Sequence, residues 1–377
     1  MGCKVLFLRT PYFDLGVLGK TGLSLAKSPE PLRATLIAAR GGGPSVEQEA
    51  AAGLTRVAVT GGAGFLGSHI AARLAKAGDD ITVVDDLSAG SVQNLRDVGM
   101  GGELVKGDLR GYQFARESLR GAEAVFHFAA EVGSVQYLHG SAASELAAMQ
   151  TNLVIDANVF KACAENGVGT VIYASSVSVY PIDMQQGGDA RFKEEDAERR
   201  VNPEGGYGWS KYVAEKQLEL MPEVRSGVAR IFHAYGKNIY LKEDRSQVIG
   251  SLIRKAVRYP REDFVVWGDG RQRRCFVYID DAIDAIFDLK RHVEKKGNLT
   301  VNIGSTEEVT VLDVAKQVIA LSGKDIELKF DPAKPRGALN RTPDLSRVRR
   351  VLGWAPKTAF KDGLAETFSW ASSRLGL

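Results

Sequence analysis

Cysteine is scarce in this sequence: the 377 residues include only Cys3, Cys163 and Cys275. Their number is odd, their spacing is wide and no Cys-x-x-Cys pair occurs, so we expect neither a disulfide framework nor a zinc site. The five histidines are scattered as well, and we predict no bound metal. This use of cysteine is typical of the reducing cytoplasm.

Long apolar runs and a strong charge imbalance are also missing. No stretch is apolar enough to cross a bilayer, and Arg9 and Asp14 interrupt the first residues, which makes them a poor signal peptide. The formal net charge of +3 is too small to indicate binding to nucleic acid or to an anionic membrane. We therefore expect a cytoplasmic globular protein, and the charge is compatible with an anionic small substrate.

Short apolar runs alternate with helix-length segments from residue 56 onwards. The strand-like runs are 56–60, 81–85, 103–108, 124–130, 170–175 and 227–232, and a long helix is expected over 147–166. Alternation of this kind predicts βαβ units and a parallel sheet that is covered by helices on both faces.

A glycine-rich loop follows the first of these strands. Gly61, Gly64 and Gly67 form a Gly-x-x-Gly-x-x-Gly motif that opens a predicted helix over 63–78. Glycine allows a tight turn and the close approach of a pyrophosphate, whose charge is favoured at a helix N-terminus. Asp85 ends the second strand, where a carboxylate hydrogen-bonds ribose hydroxyls and repels a 2′-phosphate. The motif therefore predicts NAD rather than NADP.

These features predict an α/β fold, a Rossmann-type doubly wound parallel sheet with a smaller C-terminal substrate-binding lobe. Residues 1–54 do not show the alternation of strands and helices, so we treat them as an extension of unknown role. Within this extension, the composition of 40–50 predicts a linker. Residues 55–235 are expected to form mainly the NAD-binding domain. Residues 236–377 are expected to form mainly the lobe, with some segments returning to the first domain.

A tyrosine and a lysine lie one helical turn apart further along the chain. Tyr207 precedes Lys211 by four residues, which places both side chains on one face of a helix. The ammonium can favour the phenolate and lower the pKa of Tyr207 toward neutrality. A phenolate can take a proton from an alcohol, so the pair and the dinucleotide loop together predict hydride transfer at a carbinol carbon. Alone, the same spacing is compatible with a purely structural helix face.

The motifs of this chain occur together in a known family. Over about 56–372 it resembles the extended short-chain dehydrogenase/reductases, the NAD-dependent nucleotide-sugar epimerases and dehydratases. The motifs that carry the resemblance are 60–67, 107–108, 129–130, 173–180, 207–211, 267–270, 274–281, 302–304 and 352–356. The resemblance implies bound NAD, a nucleotide-diphosphate sugar as substrate, and a homodimer joined by the long helices near 147–166 and 207–221.

The same resemblance implies a set of site residues. It makes Tyr207 the base, Lys211 the group that lowers the tyrosine pKa and contacts the nicotinamide ribose, and Ser176 the hydrogen-bond partner of the reacting oxygen, with Ser175 as the neighbouring alternative. The cofactor contacts are Gly61, Gly64, Phe65, Leu66, Gly67, Asp85, Asp86, Asp108, Leu109, Ala129, Ala130, Tyr207 and Lys211. The substrate contacts are Gly133, Ser134, Ser176, His233, Arg274 and Arg341.

The two residues that directly follow Ser176 indicate which type of reaction is possible. Where this chain has Val177 and Ser178, the 4,6-dehydratases of this family carry an Asp-Glu pair and the UDP-glucuronate decarboxylases carry a Glu at the second position, so both reactions lose support. A 4-epimerase, which needs no further acid or base, remains open. So does a 3,5-epimerase, which needs a base on one side of the sugar ring and an acid on the other.

Several segments favour the second reading, because 107–110, 173–181 and 266–270 resemble the GDP-mannose 3,5-epimerases of this family. Lys242 follows Tyr235-Gly236 at the distance where those enzymes have a lysine. Ser178 departs from them, because they have a cysteine base there and a hydroxyl is a much weaker base than a thiolate. Lys242 is equally compatible with a solvated surface lysine. A non-catalytic NAD sensor and a steroid- or flavonoid-type alcohol dehydrogenase are the rival readings.

Overall fold

The computed structural model describes residues 33–36, 55–100, 102–186, 190–334 and 337–376, which all lie in one unit, Leu32–Leu377. The predicted linker at 40–50 lies outside the described residues. The strands are β1 (Arg33–Leu36), β2 (Arg56–Thr60), β3 (Asp80–Asp85), β4 (Gly102–Lys106), β5 (Ala124–His127), β6 (Thr170–Ser176), β7 (Arg191–Phe192), β8 (Arg225–Ile231), β9 (Ala234–Tyr235), β10 (Val265–Trp267), β11 (Arg273–Arg274), β12 (Val277–Tyr278), β13 (Leu299–Ile303), β14 (Val309–Thr310), β15 (Lys329–Asp331) and β16 (Asn340–Pro343).

Helices cover the segments between the strands. They are α1 (Phe65–Ala77), α2 (Val92–Asp97), α3 (Tyr112–Ser118), α4 (Val135–His139), α5 (Ala142–Asn166), α6 (Asp196–Arg199), α7 (Gly205–Glu219), α8 (Val248–Arg258), α9 (Ile279–Lys296), α10 (Val311–Ser322), α11 (Ser346–Leu352) and α12 (Phe360–Leu375). Short 3₁₀ helices at Val177–Val179 and Ile182–Gln185 follow β6.

The central sheet has the strand order β1-β4-β3-β2-β5-β6-β8-β13. All neighbouring strands from β4 to β13 are parallel, as is usual when helices cover both faces of a sheet. From β2 the chain moves outward through β3 and β4, and then returns to β5 on the other side of β2. The carboxyl ends of β2 and β5 therefore form the switch point where ligands bind in doubly wound sheets. The predicted α/β fold class is confirmed.

Alternate side chains of β2 enter two different cores. Val57 and Val59 pack with α1 and α9, whereas Ala58 packs in the other layer with α5 and α7. Both layers are buried, so Val57, Ala58 and Val59 are all removed from water. This explains why these strands read as continuous apolar runs rather than as alternating ones.

Two elements differ from the sequence prediction. The strand Arg33–Leu36 lies in the segment that was left outside the pattern, yet it pairs antiparallel with β4 at the sheet edge. Four residues carry no readable periodicity, and edge pairing depends on backbone groups. The long helix begins at Ala142 rather than at 147, because Ser141 caps it through a hydrogen bond from the Ser144 amide in a capping box.

Apart from β7, the smaller part of the molecule follows β9 in the chain. It contains α8, α10 and α12, the sheet β14-β11-β16-β7 and the pair β10-β15, whereas α9 and β13 belong to the layers of the central sheet. In the four-stranded sheet, Arg274 of β11 is the register partner of Arg341 of β16. This pairing brings together two arginines that are far apart in the sequence.

A buried ion pair joins α7 to the central sheet. Arg230 of β8 is 2% exposed and donates to both carboxylate oxygens of Glu215 on α7, at 3.0 and 2.6 Å, and also to the Glu194 carbonyl at 2.6 Å. Glu215 also accepts a hydrogen bond from Ser175 on β6. This cluster fixes the helix that carries Tyr207 against the strand ends.

We predict that R230M lowers the free energy of unfolding by about 3–5 kcal/mol, because it leaves a buried carboxylate without its partner. Equilibrium urea unfolding of the full chain measures this loss. The matched control is R271A, which removes an arginine that is 86% exposed and 3.9 Å from Asp269. It should cost less than about 0.5 kcal/mol. An R230M protein as stable as R271A would contradict the prediction.

Candidate active site

One cleft of about 940 Å³ opens at the carboxyl ends of the central strands and runs to the C-terminal lobe. Every residue that the sequence analysis assigned to catalysis, cofactor or substrate lines it. These are Gly61, Gly64, Phe65, Leu66, Gly67, Asp85, Asp86, Asp108, Leu109, Ala129, Ala130, Gly133, Ser134, Ser176, Ser178, Tyr207, Lys211, His233, Lys242, Arg274 and Arg341. The cleft therefore brings together residues from both parts of the chain.

The glycine loop forms a cradle that side chains would fill. A Cβ on Gly67 would lie 2.2 Å from the Gly61 carbonyl oxygen, and one on Gly61, which has φ +64°, would lie 2.6 Å from the Ala129 amide nitrogen. The helix α1 begins within the motif, at Phe65, and Gly64 at its N-cap position provides no side-chain cap. The first-turn amides of α1 thus stay available, and the loop fits a pyrophosphate.

Two carboxylates lie at the expected strand ends but already have protein partners. Asp85 accepts hydrogen bonds from the backbone amides of Ala63 at 2.9 Å and Leu87 at 2.8 Å. Burial raises the pKa of Asp85, while these two amides lower it. Asp108 pairs with Arg110 at 2.6 Å, and this hydrogen bond lowers the pKa of the Asp108 carboxyl. Asp85 therefore also fixes the glycine loop, a contact that the sequence motif did not reveal.

Tyr207 and Ser176 meet where β6 ends against α7. Burial raises the pKa of the Tyr207 hydroxyl to about 12, although its interaction with the Ser176 side chain lowers it. The neighbouring Ser175 turns the other way and donates to Glu215. Of the two serines, Ser176 is the one in contact with the tyrosine.

The net shift of the Tyr207 pKa is upward, whereas the sequence analysis expected Lys211 to lower it toward neutrality. The Lys211 ammonium lies 4.6 Å from the centroid of the Tyr173 ring and 6.0 Å from that of Tyr207. It is buried, which lowers its own pKa, while the charges of Asp156 and Glu215 raise it. With the ammonium turned toward Tyr173 and these carboxylates, burial dominates at Tyr207.

A buried chain of hydrogen bonds underlies this lysine, and sequence reasoning missed it. His127 Nδ1 lies 2.6 Å from the Thr60 hydroxyl oxygen, and His127 Nε2 lies 2.9 Å from the Asp156 carboxylate. The Tyr173 hydroxyl also donates to Asp156, at 3.1 Å. Burial lowers the pKa of His127, although Asp156 raises it. The signal for this network was weak, because Asp156 lies within a helix with no motif around it.

A second carboxylate, also missed, lies beside Ser178. Glu204 occupies the N-cap position of α7, but its side chain points into the cleft, where it accepts a hydrogen bond from the Ser178 hydroxyl at 3.2 Å and pairs with Arg341. Burial alone would raise the pKa of Glu204. The charges of Arg341 and His139 and the Ser178 hydrogen bond outweigh burial, so the net shift is downward.

Neither Val177 nor Ser178 is a carboxylate, but the fold places the carboxylate of Glu204 beside Ser178. Glu204 is 26 residues away in the sequence and reaches the serine through the packing of α7 against the 3₁₀ helix that follows β6. The sequence analysis missed Glu204 because it considered only the residues next to Ser176 in sequence.

The cleft end near the lobe is positively charged. Burial and the nearby Arg341 lower the pKa of Arg274 to about 9, whereas Glu204 raises it. His233 has a backbone φ of +51°, and burial together with both arginines holds its pKa well below the ordinary value. Its Nε2 atom is buried, and among the described residues it has no hydrogen-bond partner. This end of the cleft has two guanidinium groups and one carboxylate. Its excess of positive charge favours the binding of an anionic group.

Lys242 and the Gly133-Ser134 loop both line this cleft. Lys242 is exposed, and Ser134 caps the short helix α4 by accepting from the Tyr137 amide at 3.1 Å. Arg245, three residues after Lys242, pairs with Glu131 at 3.1 Å and so connects the two loops. The sequence analysis did not anticipate this link.

Two searches concern sites of other kinds. Within the described residues, no group of three or more His, Cys, Asp or Glu side chains could hold a metal ion. No helix in the described part of the chain is both long and apolar enough to cross a membrane.

Comparison with known proteins gives relatives of three activities. The chain is 29% identical to GDP-mannose 3,5-epimerase 1 of Oryza sativa subsp. japonica, over 85% of this chain and 82% of that protein. It is 29% identical to UDP-N-acetyl-alpha-D-glucosaminuronate decarboxylase of Bacillus cytotoxicus, over 84% and 97%. Among solved structures, UDP-glucose 4-epimerase of Thermotoga maritima with UDP-glucose has a TM-score of 0.75 at 26% identity, over 85% and 100%.

A family model described as the NAD dependent epimerase/dehydratase family matches residues 57–304. The match covers more than half of the chain and confirms the predicted relationship to the epimerase branch of the extended short-chain dehydrogenase/reductases, with NAD as cofactor. The chain belongs to the NAD-dependent epimerase/dehydratase family.

Proposed function

We propose that this protein is a nucleotide-sugar epimerase that acts through a transient 4-keto sugar, with GDP-mannose 3,5-epimerase activity as the first candidate. The observation that carries the proposal is the contact of Tyr207 with Ser176 in a cleft that runs from the glycine loop to Arg274 and Arg341. Bound NAD would supply the acceptor for the hydride of the sugar C4. The tyrosine would take the proton of the 4-hydroxyl, with Ser176 orienting its oxygen.

The charge of the cleft supports a diphosphate-linked substrate. Arg274 and Arg341 come together through the register of β11 and β16, and guanidinium groups bind phosphate oxygens in pairs. His233 lies beside them as a neutral imidazole whose buried Nε2 is available to the substrate. This set suits an anionic ligand better than the plain alcohol of a steroid- or flavonoid-type dehydrogenase.

Two features favour inversion at C3 or C5. Lys242 lies at the cleft mouth, where its ammonium is available as an acid, and Ser178 has a carboxylate partner that a lone serine lacks. UDP-sugar 4-epimerase activity is the second candidate. The structural likeness to UDP-glucose 4-epimerase favours it, and so does the absence of a thiol at Ser178. A decarboxylase is less favoured, because this chain has Ser178 where the UDP-glucuronate decarboxylases of the family carry a glutamate.

Three expectations from the sequence extend this proposal. We propose a cytoplasmic homodimer, which the exposed apolar side chains of Leu146 and Val154 on α5 and Trp209 on α7 support. We also propose that 55–235 mainly binds NAD and that 236–377 mainly binds the nucleotide sugar, as the two ends of the cleft suggest.

The cofactor cradle is tested by G67A. Its new Cβ would meet the Gly61 carbonyl at 2.2 Å, a backbone contact that cannot yield without moving the loop. We expect NAD binding, measured by isothermal titration calorimetry, to weaken at least about tenfold, because the amides of the loop would be displaced. The control is G169A, where the nearest atom lies 3.7 Å away. Equal affinity of G67A and G169A for NAD would contradict the cradle.

The proton acceptor is tested by Y207F and by titration. We expect Y207F to lower kcat by about 10²–10⁴-fold. In the NAD-free protein the Tyr207 phenol has a pKa of about 12, so the phenolate should form only at strongly alkaline pH. Because oxidised nicotinamide carries a positive charge, bound NAD should lower this pKa. The ultraviolet absorbance change that the natural chain shows and Y207F lacks gives the pKa of Tyr207, which is measured with and without NAD. An unchanged or higher pKa with NAD would contradict the assignment.

Lys242 is tested by incubation with GDP-mannose in D2O, followed by NMR of the sugar. We expect the natural chain to place deuterium at C3 or C5 and to release inverted sugar. K242M should keep deuterium exchange but lose inverted product by about 10²–10⁴-fold, because only protonation of the opposite face is impaired. The control is K237M, an exposed lysine of the same segment. If K242M inverts as fast as K237M, Lys242 is not the acid.

A further inference from the structure

We propose that Ser178 and Glu204 act together as the base of the epimerisation, with the serine oxygen taking the sugar proton while its own proton passes to the glutamate. This inference rests on the proposed function. It adds a residue, Glu204, that the sequence analysis did not assign to the site.

The geometry makes the serine hydroxyl a donor to one defined acceptor. Ser178 Oγ lies 3.2 Å from Glu204 Oε2, both residues line the cleft, and they are 5% and 9% exposed. The two backbones are joined as well, because the Glu204 amide donates to the Ser178 carbonyl at 2.9 Å. With its proton directed at Glu204, the serine presents oxygen lone pairs to the remaining space of the cleft.

The position of this pair relative to the other groups fits a base. Ser178 lies two residues after Ser176, and Glu204 lies three residues before Tyr207, so the pair flanks the groups that handle the C4 oxygen. Lys242 comes from a different loop, after β9. A base and an acid from separate elements can approach a sugar ring from different sides, as inversion requires.

Arg341 keeps the glutamate ready to accept a proton. It donates to Glu204 and, at 3.0 Å, to Gln185, so the carboxylate is ionised although it is buried. A carboxylate that remained protonated could not accept the serine proton. Ionisation makes a hydroxyl usable as a base without a thiolate.

The step balances in atoms and electrons. The C–H bond next to the transient C4 ketone breaks, and its electron pair forms the double bond of an enolate while the ketone oxygen becomes an oxyanion. The proton goes to Ser178 Oγ as the serine proton moves to Glu204 Oε2. The Lys242 ammonium then protonates the carbon on the other face, which restores the ketone. Solvent returns a proton to Lys242 and takes one from Glu204.

The test compares E204Q, S178A, S178C and the double variant S178C/E204Q, each loaded with NAD and incubated with GDP-mannose in D2O. Two readouts are used: deuterium at C3 or C5, and 4-keto sugar trapped with borodeuteride. We expect E204Q and S178A to lose exchange by about 10²–10⁴-fold while the trapped 4-keto sugar stays within a few-fold of the natural chain. S178A leaves the Glu204–Arg341 pair in place, so it tests the proposal even if E204Q folds poorly. The control is E145Q, which removes a nearby carboxylate that pairs with His139.

The double variant separates a proton-transfer role from a structural one. A thiol is partly ionised near neutral pH, and an Arg341 freed from its carboxylate would favour the thiolate. We therefore expect S178C/E204Q to regain exchange that E204Q has lost. A purely structural role for Glu204 predicts no such rescue.

Three results would overturn the proposal. Exchange in E204Q at the level of E145Q, or a double variant as inactive as E204Q, would show that Glu204 does not accept the proton. A natural chain that forms 4-keto sugar but exchanges no deuterium would exclude the pair while leaving C4 chemistry intact. If neither readout appears with GDP-mannose or with UDP-sugars, the proposed function itself fails.

Discussion

A buried ammonium group is the constraint on which the site depends. Lys211 is 2% exposed, and removing its charge from water is costly unless opposite charges surround it. Asp156 and Glu215 supply them. Each carboxylate is itself fixed by the core, because Asp156 contacts His127 of β5 and Glu215 binds Arg230 of β8. The central sheet therefore has to position charges as well as apolar side chains, and the lysine cannot be displaced without disturbing both.

The same network reaches the cofactor loop. Thr60, the residue before Gly61, lies 2.6 Å from His127 through its hydroxyl, and His127 continues to Asp156. The last residue of β2 and the counter-ion of Lys211 are thus linked within one buried chain of contacts. Buried polar groups that are fully satisfied make a core specific and rigid. Rigidity at this point holds the glycine loop and the helix α7, which carries Tyr207 and Lys211, in fixed positions relative to each other.

The sequence predicted what local patterns encode. Strand periodicity, the glycine spacing and the Tyr207–Lys211 interval indicated the sheet, the loop and the helix face, and all the predicted residues line one cleft. What it missed depends on packing between distant segments. Glu204 meets Ser178 across 26 residues and Asp156 meets His127 across 29. The effect of burial on Tyr207 was also hidden, because spacing indicates that a lysine is near but not whether its ammonium points at the phenol.

The two groups proposed to flank the sugar differ in their access to water. Ser178 and Glu204 are buried, whereas Lys242 is exposed at the cleft mouth. A buried base exchanges the proton that it has taken with solvent more slowly than an exposed ammonium does. The sugar carbon would therefore lose the substrate's hydrogen on the face next to Ser178. It would receive a hydrogen from solvent on the face next to Lys242. This difference in solvent access does not change the equilibrium between substrate and product. It determines whether the inverted carbon of the product carries a hydrogen from solvent or from the substrate.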